Sequence, residues 1–306
     1  MSNELRAAAL MGATGTGKSA LAMQLAGETG GSIICCDSMQ LYRGLDIGTA
    51  KPTQDERAEV PHFLVDCCDL PDVYSAARWA EEAREIIGSE NSQGRVPLIV
   101  GGTGFYLKAL LEGFAEIPPE LPDIREKFEQ MQREQGTQTI YAYLQEHDAV
   151  MAERLKPLDT QRIMRALCVL ESTGRSLSDW QRDALRAAPV INCPVFVLDV
   201  QREVLRERLA GRFHTMVNAG WLDEVKWLAS LKLADTHPAM RAVGYRQLLD
   251  YLNGDMDLET AIADGITATR RYAKRQVTWF NHQTADAVHG TADVLKEMIK
   301  GLLQRS

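Results

Sequence analysis

The sequence has no apolar run approaching the roughly 18–20 residues of a membrane span, which argues against an integral membrane helix. Its start, from Met1 to Gly12, lacks a basic segment and an apolar core ahead of a small-residue cleavage site, so no export signal is expected. The six cysteines, Cys35, Cys36, Cys67, Cys68, Cys168 and Cys193, include two vicinal pairs but no C-x-x-C. That spacing does not suit a zinc ribbon, and without export the thiols are expected to be reduced, buried and apolar in character. The six histidines, His62, His147, His214, His237, His282 and His289, show no H-x-x-x-H spacing and read as non-catalytic. Positive charge is also scarce: 34 Lys and Arg face 42 Asp and Glu, a net charge of -8. Non-specific binding of nucleic acid by the whole surface is thereby disfavoured, whereas a local basic groove is not. Repeats and low-complexity tracts are missing too.

What is present is an ordinary globular balance, 45% apolar and 25% charged, in a 306-residue chain long enough for two domains or one core with a large insertion. Four short apolar runs, Ala7–Met11, Ile33–Cys36, Phe63–Val65 and Pro97–Val100, end in turn-forming or polar residues and predict strands buried on both faces. Amphipathic stretches lie between them at Lys18–Thr29, Ala76–Glu85 and Phe105–Leu111, and this alternation predicts a mostly parallel sheet. A fifth strand is expected at Val195–Val200. The intervening segment opens on Pro118, Pro119 and Pro122 and continues with helical patterns at Arg125–Gln135, Tyr141–His147 and Thr160–Ser172. It is read as a helical insertion domain, residues 115–191, hinged at the prolines, within a core made of residues 1–114 and 192–306. After Arg202 the pattern is again mostly helical.

Gly12-Ala13-Thr14-Gly15-Thr16-Gly17-Lys18-Ser19 fits G-x-x-x-x-G-K-[ST] in full, between an expected strand and an expected helix. Glycines let the backbone turn so that successive N–H groups face phosphate oxygens, and the helix start adds partial positive charge. Lys18 is expected on the terminal phosphate, with the Ser19 hydroxyl as a Mg²⁺ ligand. The motif identifies a polyphosphate site in an α/β, P-loop NTPase-like core, without saying whether the ligand is a nucleotide. Ligands of such sheets bind beyond the carboxyl ends of the strands, so the loops at Asp37-Ser38 and Gly101-Gly102-Thr103-Gly104 join the same cleft. On this pattern Asp37 suits a water-mediated Mg²⁺ ligand, a general base or a turn cap. Thr103 suits a donor to a leaving oxygen or a cap for the helix beginning at Phe105.

The run Asp37-Ser38-Met39-Gln40-Leu41-Tyr42-Arg43-Gly44-Leu45-Asp46-Ile47-Gly48-Thr49-Ala50-Lys51-Pro52 closely resembles the signature of bacterial tRNA dimethylallyltransferases, also called tRNA isopentenyltransferases. The likeness continues through Pro61-His62, Tyr74–Ala77, Gly101–Leu110, Asp159–Ile163, Arg165–Leu167, Arg212-Phe213, Gly220–Val225, Gly244-Tyr245 and Thr269–Phe280, in the family's order. Two departures stand out. Many members have proline at the second position of the phosphate loop and Ala-Ser before its last glycine, and a second histidine is common where Phe63 stands. Neither removes a hydroxyl, lysine or carboxylate that the chemistry needs.

The resemblance implies transfer of a dimethylallyl group from dimethylallyl diphosphate to the exocyclic amine of the adenosine 3′ to the anticodon of a tRNA. The phosphate loop, residues Gly12 to Ser19, would then hold a leaving diphosphate, with Mg²⁺ at Ser19. Arg212, in a basic helical stretch from Gln201 to Met216, suits either a lid cation on that diphosphate or a plain salt bridge. Thr103 would donate to the bridging oxygen, and Asp37 would accept a proton from the amine. Implied RNA contacts are Asp37, Ser38, Met39, Gln40, Thr103, Arg125, Gln161, Arg162, Ile163, Met164, Arg165, Arg241, Arg270, Arg271, Lys274, Arg275 and Gln276, with Tyr42 and Arg43 also able to meet bases. Thr267–Gln283 carries four of these cations and no acidic residue, a pattern that by itself fits a solvated helix face as well as an RNA surface. The adenine and the diphosphate would enter opposite mouths of a channel. A cytoplasmic monomer is expected.

Overall fold

The buried apolar runs form one six-stranded sheet in the computed structural model, which describes residues 4–115, 117–118, 120–187, 190–284 and 286–304. Across the sheet the strands run His62–Phe63, Ile33–Cys36, Leu98–Gly101, Ala8–Met11, Val195–Leu198 and Val288–Gly290, and every pairing is parallel. The three central strands are buried along their whole length, as their unbroken apolar character requires. A separate short pair joins Leu5–Arg6 to Ile191–Asn192.

Two expectations are corrected. The strand predicted at Phe63–Val65 is His62–Phe63, because Leu64 (φ 57°) and Asp66 (φ 54°) turn the chain out of extended geometry. The edge strand Val288–Gly290 was not foreseen: it is three residues long, half in solvent, and has no apolar run to announce it. The helix Lys18–Thr29 lies where its pattern predicts, whereas Ala76–Ser92 runs a further two turns past its expected end.

Layers of apolar side chains lie on both faces of the sheet. Met11, Ile34, Trp79, Tyr106 and Phe280 belong to one, and Leu10, Leu25, Val100, Phe196 and Ile299 to the other. The six cysteines are free, four of them buried.

The chain divides into two compact units, Met1–Leu111 with Val190–Ser306, and Glu112–Pro189. The second unit is helical: Pro122–Gln135, Thr137–His147, Ala149–Arg154, Thr160–Thr173 and Leu177–Ala187. Phe128, Ile140, Leu144, Ile163 and Leu167 are fully buried within it, and each such side chain contributes about 1.5–3 kcal/mol. Buried Asp148 ties it together by accepting from the Met151 and Ser178 amides and the Ser178 hydroxyl. Pro122 opens the first helix, where a missing N–H costs nothing. Pro119, assigned to the hinge, lies outside the described residues.

Candidate active site

The phosphate loop leaves the strand Ala8–Met11 and enters the helix Lys18–Thr29 at its first residue. Gly15 (φ 82°) and Gly17 (φ 95°) adopt left-handed geometry, which only glycine takes without strain. No side chain caps the helix start, so its first amides remain available to an anion. The loop is not wholly turned inward, however. The Thr16 amide and hydroxyl both donate to Ala13 O, at 3.4 and 2.9 Å, and the Thr14 amide donates to Gln276 Oε1 at 2.9 Å. The expectation that successive N–H groups of this loop face phosphate oxygens is therefore narrowed: those of Thr14 and Thr16 are held by the protein.

One cavity of about 230 Å³ is lined by Thr14, Gly15, Lys18, Ser19, Asp37 and Arg212 among others, with Met23, Ile33, Pro52 and Val100 as apolar wall. Burial lowers the Lys18 ammonium to about 8, a shift that Asp37 opposes and Arg212 reinforces. Burial also lowers Arg212, again opposed by Asp37. Two partly desolvated cations thus face one carboxylate across a small space, an arrangement that favours a multiply charged anion. Lys18 Nζ meanwhile rests on Ala13 O at 3.3 Å.

Asp37 ends the strand Ile33–Cys36, and its Oδ1 accepts from the Met39 amide at 3.0 Å. That Asx turn fixes the carboxylate, so its capping role and its place in the cavity coexist. Thr103 gives a third outcome to its two alternatives. Its carbonyl starts the helix Gly104–Glu112, but its hydroxyl accepts from the Ser38 amide at 3.1 Å instead of capping that helix. The oxygen is fixed beside Asp37's own loop, and its hydrogen is left to donate elsewhere.

The helix Arg202–Met216 covers the phosphate loop. Leu205 and Leu209 pack over Gly15, where a Cβ would lie 2.7 Å from Leu209. Arg212 reaches the cavity, and one turn earlier Arg208 donates to Thr16 O at 3.5 Å. Sequence reasoning missed Arg208, although its spacing of four from Arg212 puts both on one helix face.

The remaining expected residues divide sharply. In the helix Leu258–Gln283, Arg271, Lys274 and Arg275 are exposed, with Arg275 over the Tyr272 ring at 5.6 Å. Arg270 donates to Arg206 O, and Arg241 to Asp235 O. Gln276 is the clearest correction. It is only 6% exposed and faces inward, both ends of its amide taken by cleft loops, so it has no side-chain surface for RNA. In the helical unit Gln161 and Arg162 are exposed, but Ile163 and Met164 belong to its core and cannot be side-chain contacts. Arg125 and Arg165 share Glu120 as ion-pair partner. Met39 packs against the core, Gln40 donates to Thr49 O and Ala50 O, and Tyr42 is buried with its hydroxyl accepting from the Tyr74 amide. Arg43 stays exposed, paired with Asp69 at 2.8 Å.

Several signature residues hold the Asp37–Pro52 loop rather than a ligand. Glu224 accepts from the Asp46, Ile47 and Gly48 amides at 2.8, 2.7 and 3.1 Å, and from the Tyr245 hydroxyl. Lys51 Nζ, buried, binds Tyr42 O, Asp46 and Asp66 at 2.7, 2.6 and 2.5 Å. Among the described residues no cluster of three His, Cys, Asp or Glu is placed to hold a metal, and none of their helices is long and apolar enough to cross a membrane.

A family model described as IPP transferase matches residues 40–283, and one described as isopentenyl transferase matches residues 5–73. The chain belongs to the tRNA dimethylallyltransferase family. It is 44% identical to the tRNA dimethylallyltransferase of Azorhizobium caulinodans over 298 residues, covering 96% of this chain and 95% of the relative. It is 46% identical to that of Rhodospirillum centenum over 278 residues, covering 90% and 88%. The full-length tRNA isopentenylpyrophosphate transferase of Bacillus halodurans superposes with a TM-score of 0.71 at 32% identity, over 98% of this chain and 97% of that one. A eukaryotic dimethylallyltransferase acting on tRNA superposes with a TM-score of 0.77 at 27% identity, over 94% and 74%. A tRNA dimethylallyltransferase is a prenyltransferase.

Proposed function

We propose that the cavity binds dimethylallyl diphosphate and that the enzyme transfers its prenyl group to the exocyclic amine of the adenosine 3′ to the anticodon. The observation that carries this reading is the meeting of Lys18, Arg212 and Asp37 at one phosphate loop. As the allylic C–O bond breaks, negative charge grows on the departing oxygens. The helix-start amides, Lys18 and Arg212 stabilise it, and the Thr103 hydroxyl donates to the bridging oxygen. The adenine amine is a poor nucleophile because its lone pair is delocalised into the ring. Asp37 accepts a proton from it as the new C–N bond forms, and the pair of electrons in the broken C–O bond leaves with diphosphate.

Mg²⁺ fits this donor set in one way. The cleft lining offers the Ser19 hydroxyl and the carboxylates of Asp37 and Glu56, the latter engaged with Thr53, so the ion would be carried mainly by diphosphate oxygens and water, as Mg²⁺ commonly is. Bound there, it would neutralise the leaving group.

An anticodon-loop base is reachable once unstacked, and exposed Arg271, Lys274 and Arg275, with Gln161 and Arg162 of the helical unit, supply phosphate contacts. Action as a cytoplasmic monomer is part of the same reading. Labelled dimethylallyl diphosphate incubated with unmodified tRNA and Mg²⁺, with ATP and AMP in parallel, tests it. Label is expected in tRNA alone; label in AMP, or in neither, overturns the reading.

A further inference from the structure

The phosphate loop and the loop bearing Thr103 act on the same leaving group, yet they follow different strands, so something must fix the distance between them. Gln276 spans both. Its Oε1 accepts from the Thr14 amide and its Nε2 donates to Gly102 O, each at 2.9 Å. These partners determine the orientation of the amide, since only its oxygen can accept and only its nitrogen can donate. Gly102 is shaped for the contact: a Cβ there would lie 2.2 Å from Nε2 and 3.2 Å from Gly12 O. The same helix face continues the seat. Ala273 packs with Ala13 of the phosphate loop, and Trp279 lies over Gly104, where a Cβ would be 2.1 Å from its indole nitrogen. The opposite side of these turns carries the exposed cations Arg271, Lys274 and Arg275.

We propose that Gln276 is a positioning residue for the donor. It clamps the phosphate loop to the Thr103 loop, so that the diphosphate and the hydroxyl assisting its departure are held in register. The amide is suited to this because it donates and accepts at once. Leaving Thr14 N–H and Gly102 O without partners would let each loop relax toward water or other groups. The inference rests on the reading that the loop holds the donor's diphosphate.

Gln276→Met keeps the volume and removes both bonds. Gln276→Glu keeps the acceptor for Thr14 N–H but turns an oxygen toward Gly102 O and adds negative charge beside an anion site. Donor affinity is measured by calorimetry with dimethylallyl diphosphate and Mg²⁺, and tRNA affinity by filter binding, on variants whose circular dichroism matches wild type. Gln276→Met is expected to weaken the donor about tenfold and Gln276→Glu about a hundredfold, with tRNA affinity within about twofold of wild type. Gly102→Ala should resemble Gln276→Met. Lower tRNA affinity with unchanged donor binding would assign Gln276 to RNA contact and overturn the proposal. So would a fall in melting temperature with donor binding and turnover intact, which marks plain packing. If Gln276→Met fails to fold, the near-isosteric Gln276→Glu decides alone by the same comparison. Should wild type itself not bind the donor, it is the underlying reading that fails.

Discussion

The phosphate loop and the basic helix Leu258–Gln283 both face polyanions in the proposed reaction, but they are made in opposite ways. The loop works through backbone geometry, with two left-handed glycines, uncapped helix amides and a single partly desolvated lysine. The helix works through long side chains, half of it turned to solvent and half seated on the loop it supports. A site built from backbone is specified by a short contiguous string. A site built from one helix face is specified only once the fold decides which face is out. Substitutions in the first should therefore damage chemistry and donor binding, whereas substitutions on the outer face of the second should change RNA affinity alone.

The largest effect is expected at Asp37, which belongs to the cleft but not to its phosphate-binding part. Asp37→Ala should lower turnover about 10²–10⁴-fold while donor affinity changes far less. Stopped-time assays with labelled donor, alongside calorimetry, separate the two, and near-full turnover would remove Asp37 from the mechanism. The sharp separation of roles would be blurred if donor affinity fell in proportion.

Lys18→Ala should depress both donor affinity and turnover, because in the proposed reaction the ammonium binds the ground-state diphosphate and neutralises the leaving group. Its lowered pKa adds a pH signature. In the empty cleft Lys18 loses its proton near pH 8, so donor affinity should decline as pH rises beyond that value, and Lys18→Arg should move the decline upward. The stability sign follows from linkage. The folded protein holds fewer protons at this site than the unfolded chain between about 8 and 10.5, so Lys18 opposes folding below pH 8, and that opposition is relieved as pH rises through the window. Lys18→Met should accordingly raise the melting temperature at pH 7 by a few degrees, even as it abolishes donor binding. An unchanged or lower value would mean that the lysine is better solvated than its surroundings suggest.

Thr103→Val comes next, with turnover reduced about 10²–10³-fold by loss of one donor to the leaving oxygen. The hydroxyl also accepts from Ser38 N–H, so a melting-temperature loss of a few degrees should accompany it. Thr103→Ser keeps both functions and should restore both readouts. A variant that loses stability while its folded fraction turns over normally would confine Thr103 to holding the Ser38 loop.

What the sequence disclosed follows the same division. The strand–loop–helix unit from Ala8 to Thr29 is legible because buried β runs, G-x-x-x-x-G-K-[ST] and a helix pattern are all local signals. The helical unit was legible as an interruption, by its prolines and lack of strands. Gln276 was not legible: a glutamine amid arginines on a basic helix reads as one more polar surface residue, and the loops that hold it lie some 170 residues and more away. Ile163 and Met164, contacts that the resemblance implied, failed for the same reason, since helical periodicity turns them into the core beside exposed Gln161 and Arg162. The Glu224 anchor beneath Asp46–Gly48 likewise joins residues 176 to 178 apart, and no local pattern encodes it.

The smallest effect tests the outer face of the basic helix directly. Arg271→Ala/Lys274→Ala should weaken binding to all substrate tRNAs by a similar, several-fold factor. It should also flatten the dependence of log affinity on log salt by about 0.7 for each lost single-strand phosphate contact. Neither residue touches the cavity lining, so donor affinity should stay at the wild-type value. Titrations of tRNA across a salt series, with calorimetry of the donor in parallel, measure all three. A preserved salt slope would make this face merely solvated and move the RNA path to Gln161 and Arg162. A change in donor affinity would instead mean that the two faces of the helix are mechanically linked, since Gln276 lies within two residues of Lys274 and grips the phosphate loop from the other side.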